Sequence, residues 1–174
     1  ITGMHHVRSH IALRIGVSLI EEMMMVVDNY VESTGLNFSM LAAPDEGLSG
    51  KFTRQDNRDL GEIECVTDQP YYTNSFHIPV DAPVTIREKI QLEAPFHALC
   101  NGGHITYVET DGALAGNPQA IEDIVRMMAE AGIGYGSINH PVDRCLDCRT
   151  EQTIEEQCPV CGSTSIERIR RITG

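Results

Sequence analysis

Four of the six cysteines in this 174-residue chain stand close together near its end, as two Cys-x-x-Cys pairs. The pairs are Cys145 with Cys148 and Cys158 with Cys161, and nine residues separate them. Each pair can place two thiolates on one ion from a tight turn, and two such turns complete a tetrahedral shell. A closed four-sulfur shell leaves no position for substrate or water, so we expect a structural zinc ion that folds a small ribbon-like element. Spacing alone does not select the metal, and an iron or iron–sulfur site stays the alternative.

Two weaker groups of residues could also do chemistry. Cys100 stands near His97 and His104, a composition from which a Cys–His nucleophile could be built. A single buried cysteine, however, usually behaves as a small hydrophobic residue, and we expect that of Cys100. His6 and His10 lie one helical turn apart, but no acidic ligand stands at a matching offset, so we expect surface histidines.

A possible anion site follows the first predicted strand. The turn consists of Ala43, Pro44, Asp45, Glu46 and Gly47. Proline followed by acidic residues is typical of a helix start, and the free amides of a helix start attract phosphate. Asp45 and Glu46 argue against a highly charged anion there, unless their side chains point away.

The elements that must position these residues alternate between helix and strand. In the first half we predict a long helix over 9–33, a strand over 36–41, a polar surface connection over 50–70 and an extended segment over 72–80. A short helix over 85–92, capped by Thr85, follows. After it we predict a strand over 104–109, a helix from Asn117-Pro118 to about Gly132 and a strand over 134–139. Methionines 23–25 are expected to fill core space. This order predicts an α/β layer or barrel over residues 1–142, followed by a four-cysteine element over 143–174.

Composition narrows the function classes. A formal net charge of −12 argues against a general nucleic-acid-binding protein, which needs a surplus of basic residues. A hydrophobic content of 41% is enough for a core. No run of 18 apolar residues predicts a membrane span, and clustered cysteines without a signal peptide favour the cytoplasm. The chain opens on Ile1, so we expect a processed product or part of a longer reading frame.

Several strings in the chain together resemble one family, in order and over nearly the whole length. These strings are Ile1-Thr-Gly-Met-His-His6, Thr34-Gly-Leu-Asn-Phe-Ser39, Pro44-Asp-Glu-Gly-Leu-Ser-Gly50, Tyr72-Thr-Asn-Ser-Phe-His77, Ala94-Pro-Phe-His97, Gly102-Gly-His-Ile-Thr-Tyr-Val-Glu109, Pro141-Val-Asp143, the two Cys-x-x-Cys pairs and Arg170-Arg-Ile-Thr-Gly174. The chain resembles the C-terminal part of the anaerobic ribonucleoside-triphosphate reductases, a class of glycyl-radical enzymes.

The resemblance implies a fold, an activity and partners. It implies the last part of a ten-stranded α/β barrel, followed by a zinc site on Cys145, Cys148, Cys158 and Cys161. It implies reduction of ribonucleoside triphosphates to deoxyribonucleoside triphosphates by radical chemistry, with formate as reductant. A radical-SAM activase with an iron–sulfur cluster would install the glycyl radical, and the full enzyme would be a homodimer. The segment Ala43 to Gly47 matches the substrate-phosphate cradle.

The resemblance also implies that central parts lie outside this chain. The family's thiyl-forming cysteine lies upstream of the first matching string, and its radical glycine lies downstream of the last. We therefore expect no reductase activity from these 174 residues alone. The alternatives are a non-catalytic zinc-stabilised interaction module or half of a split reductase. An independent nucleic-acid-binding zinc ribbon is disfavoured by the acidic charge.

Overall fold

In the part of the chain that the structure describes, the fold combines four α-helices with two small sheets. A computed structural model describes residues 10–44, 49–64, 66–73, 75–79, 82–110, 112, 114–140 and 142–169. The elements are α1 (His10–Thr34), α2 (Ser49–Leu60), α3 (Ile86–Leu99), β1 (Thr106–Glu109), a 3-10 turn (Leu114–Gly116), α4 (Pro118–Ala131), β2 (Gly136–Asn139), β3 (Val142–Cys145), β4 (Glu151–Gln152) and β5 (Ile166–Ile169). Strands β1 and β2 are parallel, and β4, β3 and β5 form an antiparallel sheet in that order. The predicted α/β class is confirmed, whereas the ten-stranded barrel stays a prediction.

Helix α1 confirms the predicted first helix and ends at Gly35, which has a φ of 69°. Its buried residues are Ala12 and Ile20, and Ile20 packs with Phe96 and Cys100 of the α3 region. The predicted core role of the methionines is wrong for Met23 and Met25, which are 53% and 58% exposed. The reason is geometric, since within the described residues α3 is the helix that packs on α1, and it covers one side only.

Helix α2 contradicts the predicted surface connection over 50–70. Its large apolar residues are Phe52 and Leu60, both of them exposed, and polar contacts hold the helix instead. Gln55 Nε2 donates to Asp59 Oδ2 at 2.7 Å, one turn along the helix. Asn57 Nδ2 donates to the carbonyl of Thr67 at 3.0 Å and so ties the helix to the segment that follows it. Gly61, with a φ of 75°, closes the helix.

Helix α3 begins as predicted and runs farther than predicted. The hydroxyl of Thr85 accepts from the Glu88 amide, and the Glu88 carboxylate accepts from the Thr85 amide, which completes a capping box. The helix continues through Pro95 to Leu99. We attribute the extension to Phe96, which is 1% exposed and stacks on Phe76 with ring centroids 4.3 Å apart.

The predicted strand and helix pattern after residue 103 is confirmed. Helix α4 is capped by Asn117 and ends at Gly132, which has a φ of 80°. One face of the β1–β2 pair packs on α3 and α4 through a cluster of buried residues. That cluster consists of Ile90, Val108, Ile124 and Met128.

Two predicted extended segments differ from the structure. The segment 36–41 forms no strand, but Leu41 makes a single parallel bridge to Gly103, and the Ala42 amide donates to the Gly103 carbonyl at 3.0 Å. The described part of 72–80 turns, because Ser75 and Phe76 have positive φ values of 54° and 63°. Among the residues that the structure describes, no helix is both long and apolar enough to cross a membrane.

Candidate metal centre

The four cysteines of the two pairs converge on one point. Their sulfur atoms all lie within 4.8 Å of one another. The Cys145 and Cys161 sulfurs are 3.5 Å apart, as are those of Cys148 and Cys158. Zinc–sulfur bonds of about 2.3 Å in a tetrahedron require sulfur–sulfur distances of about 3.8 Å. The sulfurs are too far apart for disulfides, whose bond is about 2.05 Å, and their geometry fits one shared metal ion.

Two turns of the same design present the sulfurs. In the first, the Arg149 amide donates to the Cys145 carbonyl at 2.9 Å, and in the second the Gly162 amide donates to the Cys158 carbonyl at 2.8 Å. Arg149 and Gly162 have φ values of 64° and 73°. Glycine adopts this left-handed region without strain, whereas Arg149 is held there by the turn. The local sequence of each pair therefore forms a knuckle with both thiols on its inner side.

The cluster also serves as the core of the small antiparallel sheet. Cys145 and Cys158 are buried and pack with Ile154, Cys148 is half-buried and Cys161 is exposed. A segment of this size buries little apolar area, so a metal ion would supply much of its folding free energy.

Two thiols of the cluster, those of Cys148 and Cys161, have pKa values shifted in opposite directions. Hydrogen bonds from the Thr150 hydroxyl and amide lower the pKa of Cys148 to about 6. The Ser163 amide acts in the same direction on Cys161, but hydrogen bonds shared with Cys148 and Cys145 outweigh it and raise the pKa of Cys161 to about 12. Metal ligands must be thiolates, so binding releases protons and weakens in acid.

A buried carboxylate braces the connection between the two knuckles. Asp143 on β3 is fully buried, and its Oδ2 accepts from the Ile154 amide at 2.8 Å. Arg168 on β5 donates to the carbonyls of Ile154 and Glu155 and lies 3.8 Å from the same Asp143 oxygen. Residues 154 and 155 are thus tied to both neighbouring strands, which fixes the path of the chain toward Cys158.

The other sequence candidates do not converge on a site. Cys100 is buried in the apolar cluster with Ile20 and Phe96, and burial raises the pKa of its thiol, so the expectation of a core cysteine is confirmed. His10 is exposed at the start of α1, and His6 lies outside the described residues. Both ring nitrogens of His97 have other partners, because Nε2 lies 2.9 Å from the Thr106 hydroxyl and Nδ1 accepts from the Gly134 amide at 3.3 Å.

The predicted phosphate turn is described in part. Ala43 is exposed and Pro44 is half-buried, while Asp45, Glu46 and Gly47 lie outside the described residues. The predicted helix start after Pro44 also falls on residues outside the described part of the chain, and the first described helical residue that follows is Ser49. The parallel bridge from Leu41 to Gly103 places Ala43 two residues beyond a contact with the segment that leads into β1.

A polar group that the sequence analysis missed lies at the ends of β1 and β2. Asn139 Nδ2 donates to Glu109 Oε1 at 3.0 Å, and the Ser137 hydroxyl donates to Asn139 Oδ1 at 2.9 Å. A small cavity of about 60 Å³ lies beside Glu109, between Lys89 and Thr85. The signal was available in the period of two along each strand, with one side chain in the apolar cluster and the next one polar.

A second polar network missed from the sequence lies behind β1. The side chains of Lys89 and Glu93 form a buried ion pair of 2.8 Å between the ammonium nitrogen and Oε1. The Glu93 carboxylate also accepts from the Thr106 hydroxyl at 2.7 Å and from the Ile78 amide at 2.8 Å. This network joins α3, the start of β1 and the segment before α3, and so ties β1 to the helix that packs on it.

The structure combines an α/β unit that contains a parallel strand pair with a knuckle element that carries four cysteines. These two features define the structural class of the chain. The sequence model described as "anaerobic ribonucleoside-triphosphate reductase" matches residues 1–174. The chain belongs to this family.

Named relatives agree with the family match. The anaerobic ribonucleoside-triphosphate reductase of Escherichia coli K12 is 36% identical over 181 residues, and the alignment covers 99% of this chain and 25% of that protein. The reductase of enterobacteria phage T4 is 34% identical over 175 residues, covering 98% and 29%. This chain thus spans about a quarter of the length of these relatives.

Solved structures share the fold. A structure titled anaerobic ribonucleotide reductase superposes with a TM-score of 0.67 at 21% identity and covers 89% of this chain and 23% of that one. The anaerobic ribonucleotide reductase of Thermotoga maritima in complex with dATP and CTP superposes with a TM-score of 0.65 at 21% identity, covering 89% and 24%.

Proposed function

We propose that this chain is a working part of an anaerobic ribonucleoside-triphosphate reductase, which converts ribonucleoside triphosphates to deoxyribonucleoside triphosphates. The family match over all 174 residues is the observation that carries the proposal. The relatives are about four times longer, so the complete activity belongs to a larger polypeptide or to a complex. The glycyl radical and the thiyl cysteine would reside on that remaining part, with formate as reductant, a radical-SAM activase and a homodimeric enzyme.

We assign a structural zinc ion to Cys145, Cys148, Cys158 and Cys161. The support is the convergence of four sulfurs within 4.8 Å and the closed donor set, which leaves no ligand position for substrate. When bound, the ion would stabilise the fold of residues 143–174 and take no part in the reaction. We also propose that residues 1–142 form part of a barrel and that residues 143–174 form the zinc-binding element. The expected compartment is the cytoplasm.

We assign the substrate phosphates to the turn of Ala43, Pro44, Asp45, Glu46 and Gly47. The support is that these residues follow the Leu41 bridge to Gly103 and precede α2 in the sequence, and free backbone amides at a helix start attract anions. The substrate of this site would be a nucleoside triphosphate, consistent with the proposed reaction.

Deoxyribonucleotide formation tests the function. The native polypeptide that carries these residues, incubated without oxygen with its activase, formate and a labelled ribonucleoside triphosphate, should yield the labelled deoxyribonucleotide. Omission of formate or of the activase should abolish the product. A native polypeptide that acquires the glycyl radical and still forms no deoxyribonucleotide would contradict the proposal. The 174-residue chain alone should form none.

A further inference from the structure

One histidine on α3 contacts the starts of both parallel strands. His97 Nε2 lies 2.9 Å from the hydroxyl of Thr106, the first residue of β1. His97 Nδ1 accepts from the amide of Gly134 at 3.3 Å, in the connection that leads from α4 into β2. The Thr106 amide donates to the Tyr135 carbonyl at 3.0 Å, so the two strand starts are joined to each other at the same place. A single side chain thus ties the start of the β1–β2 pair to α3.

The partners of His97 admit one protonation state of its ring. The Thr106 hydroxyl has one proton and donates it to Glu93 Oε2 at 2.7 Å, so this hydroxyl must accept from His97 Nε2. The Gly134 amide can only donate, so His97 Nδ1 must carry no proton. The hydrogen bonds therefore assign the neutral tautomer of His97, with its proton on Nε2.

A buried ion pair fixes the direction of the Thr106 hydroxyl. Glu93 is fully buried, and its Oε1 accepts from Lys89 Nζ and from the Ile78 amide at 2.8 Å each. The other carboxylate oxygen accepts from the Thr106 hydroxyl, which is also fully buried. A hydroxyl that turned to donate to His97 would deprive a buried charged oxygen of its donor, which is costly. The Nε2 side of the ring is therefore held as a donor.

The titratable groups that face the His97 ring come from α3 and from two loop segments. Glu93 faces it from α3, His77 from the segment before α3 and His104 from the segment before β1, with the ring centroids of His97 and His104 4.5 Å apart. Tyr135 of the α4–β2 connection is 66% exposed, and α1 and α4 pack on α3 through apolar clusters. Burial lowers the pKa of His97 against the opposing charge of Glu93, and His77 acts in the same direction as burial. The ring is therefore neutral near pH 7.

Protonation would act on one side of the ring. A histidinium donates from both nitrogens, so Nδ1 would present a proton to the Gly134 amide, and two donors would face each other. Nε2 would keep its bond to Thr106, close to the Glu93 carboxylate. The loss would therefore fall on the start of β2. The far end of the strand pair contains no such bond, since the Thr110 amide donates to the Asn139 carbonyl at 2.9 Å.

We propose that His97 is a pH-sensitive link, which holds the start of β2 on α3 while its ring is neutral and releases it when the ring takes up a proton. In acid the β1–β2 pair would open from the start of β2, while the far ends of the two strands stay paired. The inference concerns the conformation of the described chain and does not depend on the proposed reaction.

Hydrogen–deuterium exchange of the native polypeptide, followed by mass spectrometry from pH 8 to pH 4.5, tests the proposal. Protection factors correct for the pH dependence of the intrinsic exchange rate. Peptides that report residues 134–136 should lose protection at least about threefold over this range, because a hydrogen bond is lost. Peptides that report residues 108–110 should stay within about twofold, because local opening leaves that end paired. Constant protection at 134–136, or an equal loss at both ends, would overturn the proposal.

The key variant is His97→Gln, whose side-chain amide can donate to Thr106 and accept from Gly134 without titrating. Protection at residues 134–136 of this variant should not change with pH. The matched control is His10→Gln, which removes an exposed histidine at the start of α1 and should keep the wild-type change. A folded His97→Gln variant that still shows the wild-type change would also overturn the proposal. If this variant does not fold, the comparison of the two strand ends in wild type still decides.

Discussion

Removal of the Asp143 carboxylate should weaken metal binding although Asp143 is not a metal ligand. Asp143→Ala takes away the acceptor of the Ile154 amide, a bond of 2.8 Å between fully buried groups. The hydrogen bond has a charged acceptor, so its loss with a buried donor left unpaired costs about 1.5–3 kcal/mol. The pair with Arg168 adds little, because the Arg168 side chain is 45% exposed and the two atoms are 3.8 Å apart.

Metal affinity reports this loss because folding of the knuckle element is coupled to metal binding. A loss of about 2 kcal/mol corresponds to an affinity about 30-fold lower, within the range of about 10–100-fold found for residues that support metal ligands. Competition with a chromophoric zinc chelator measures the affinity directly. Asp143→Asn keeps an oxygen acceptor and should recover most of the loss.

The matched control lies four residues away. Asp147 stands between Cys145 and Cys148 in the sequence but is exposed, and it takes no part in the hydrogen bonds that Asp143 and Arg168 make to residues 154 and 155. Asp147→Ala should therefore bind zinc within about twofold of wild type. Equal affinities for Asp143→Ala and Asp147→Ala would refute the reasoning, since both variants remove one negative charge close to the cluster.

Three further predictions concern the α/β part of the chain. Thr85→Ala should lower the free energy of unfolding by about 1 kcal/mol in urea titrations, because the α3 capping box is lost, whereas Thr85→Ser should stay near wild type. Phe96→Ala should lower it by about 3–5 kcal/mol, since the ring is 1% exposed and stacked on Phe76; a loss below about 1 kcal/mol would contradict this packing. Burial lowers the pKa of His97, so the unfolded chain binds a proton more readily than the folded chain. The free energy of unfolding should therefore fall as the pH drops below about 6.5 toward the folded pKa. The urea midpoint of His97→Gln should depend less on pH than that of wild type between pH 8 and pH 5.

The sequence was most informative where local chemistry decides the structure. The capping box at Thr85, the Asn117-Pro118 start and the glycine at 132 each satisfy backbone groups within a few residues, so each helix boundary was readable. The two Cys-x-x-Cys pairs form knuckles whose hydrogen bonds span only four residues. The metal centre was therefore predictable from spacing.

The sequence was least informative where contacts between residues far apart in the chain decide the local structure. Helix α2 is held by polar bonds such as that from Asn57 to the Thr67 carbonyl, and such bonds leave no apolar period to read. The segment before Ala43 alternates like a strand, yet among the described residues it makes a single bridge, from Leu41 to Gly103, three residues before β1. Glu109 and Asn139 are thirty residues apart, and only the parallel register of β1 and β2 brings them together.

The claim that four cysteines share one metal ion is central, because the structure describes all four of its residues and brings their sulfur atoms together. Metal analysis of the anaerobically purified chain tests it most directly. About one zinc per chain is predicted for wild type and for Cys100→Ser, which removes a thiol outside the cluster, and Cys158→Ser should lose the metal. Full zinc occupancy in Cys158→Ser, or no metal in the folded wild-type chain, would contradict the four-thiolate site.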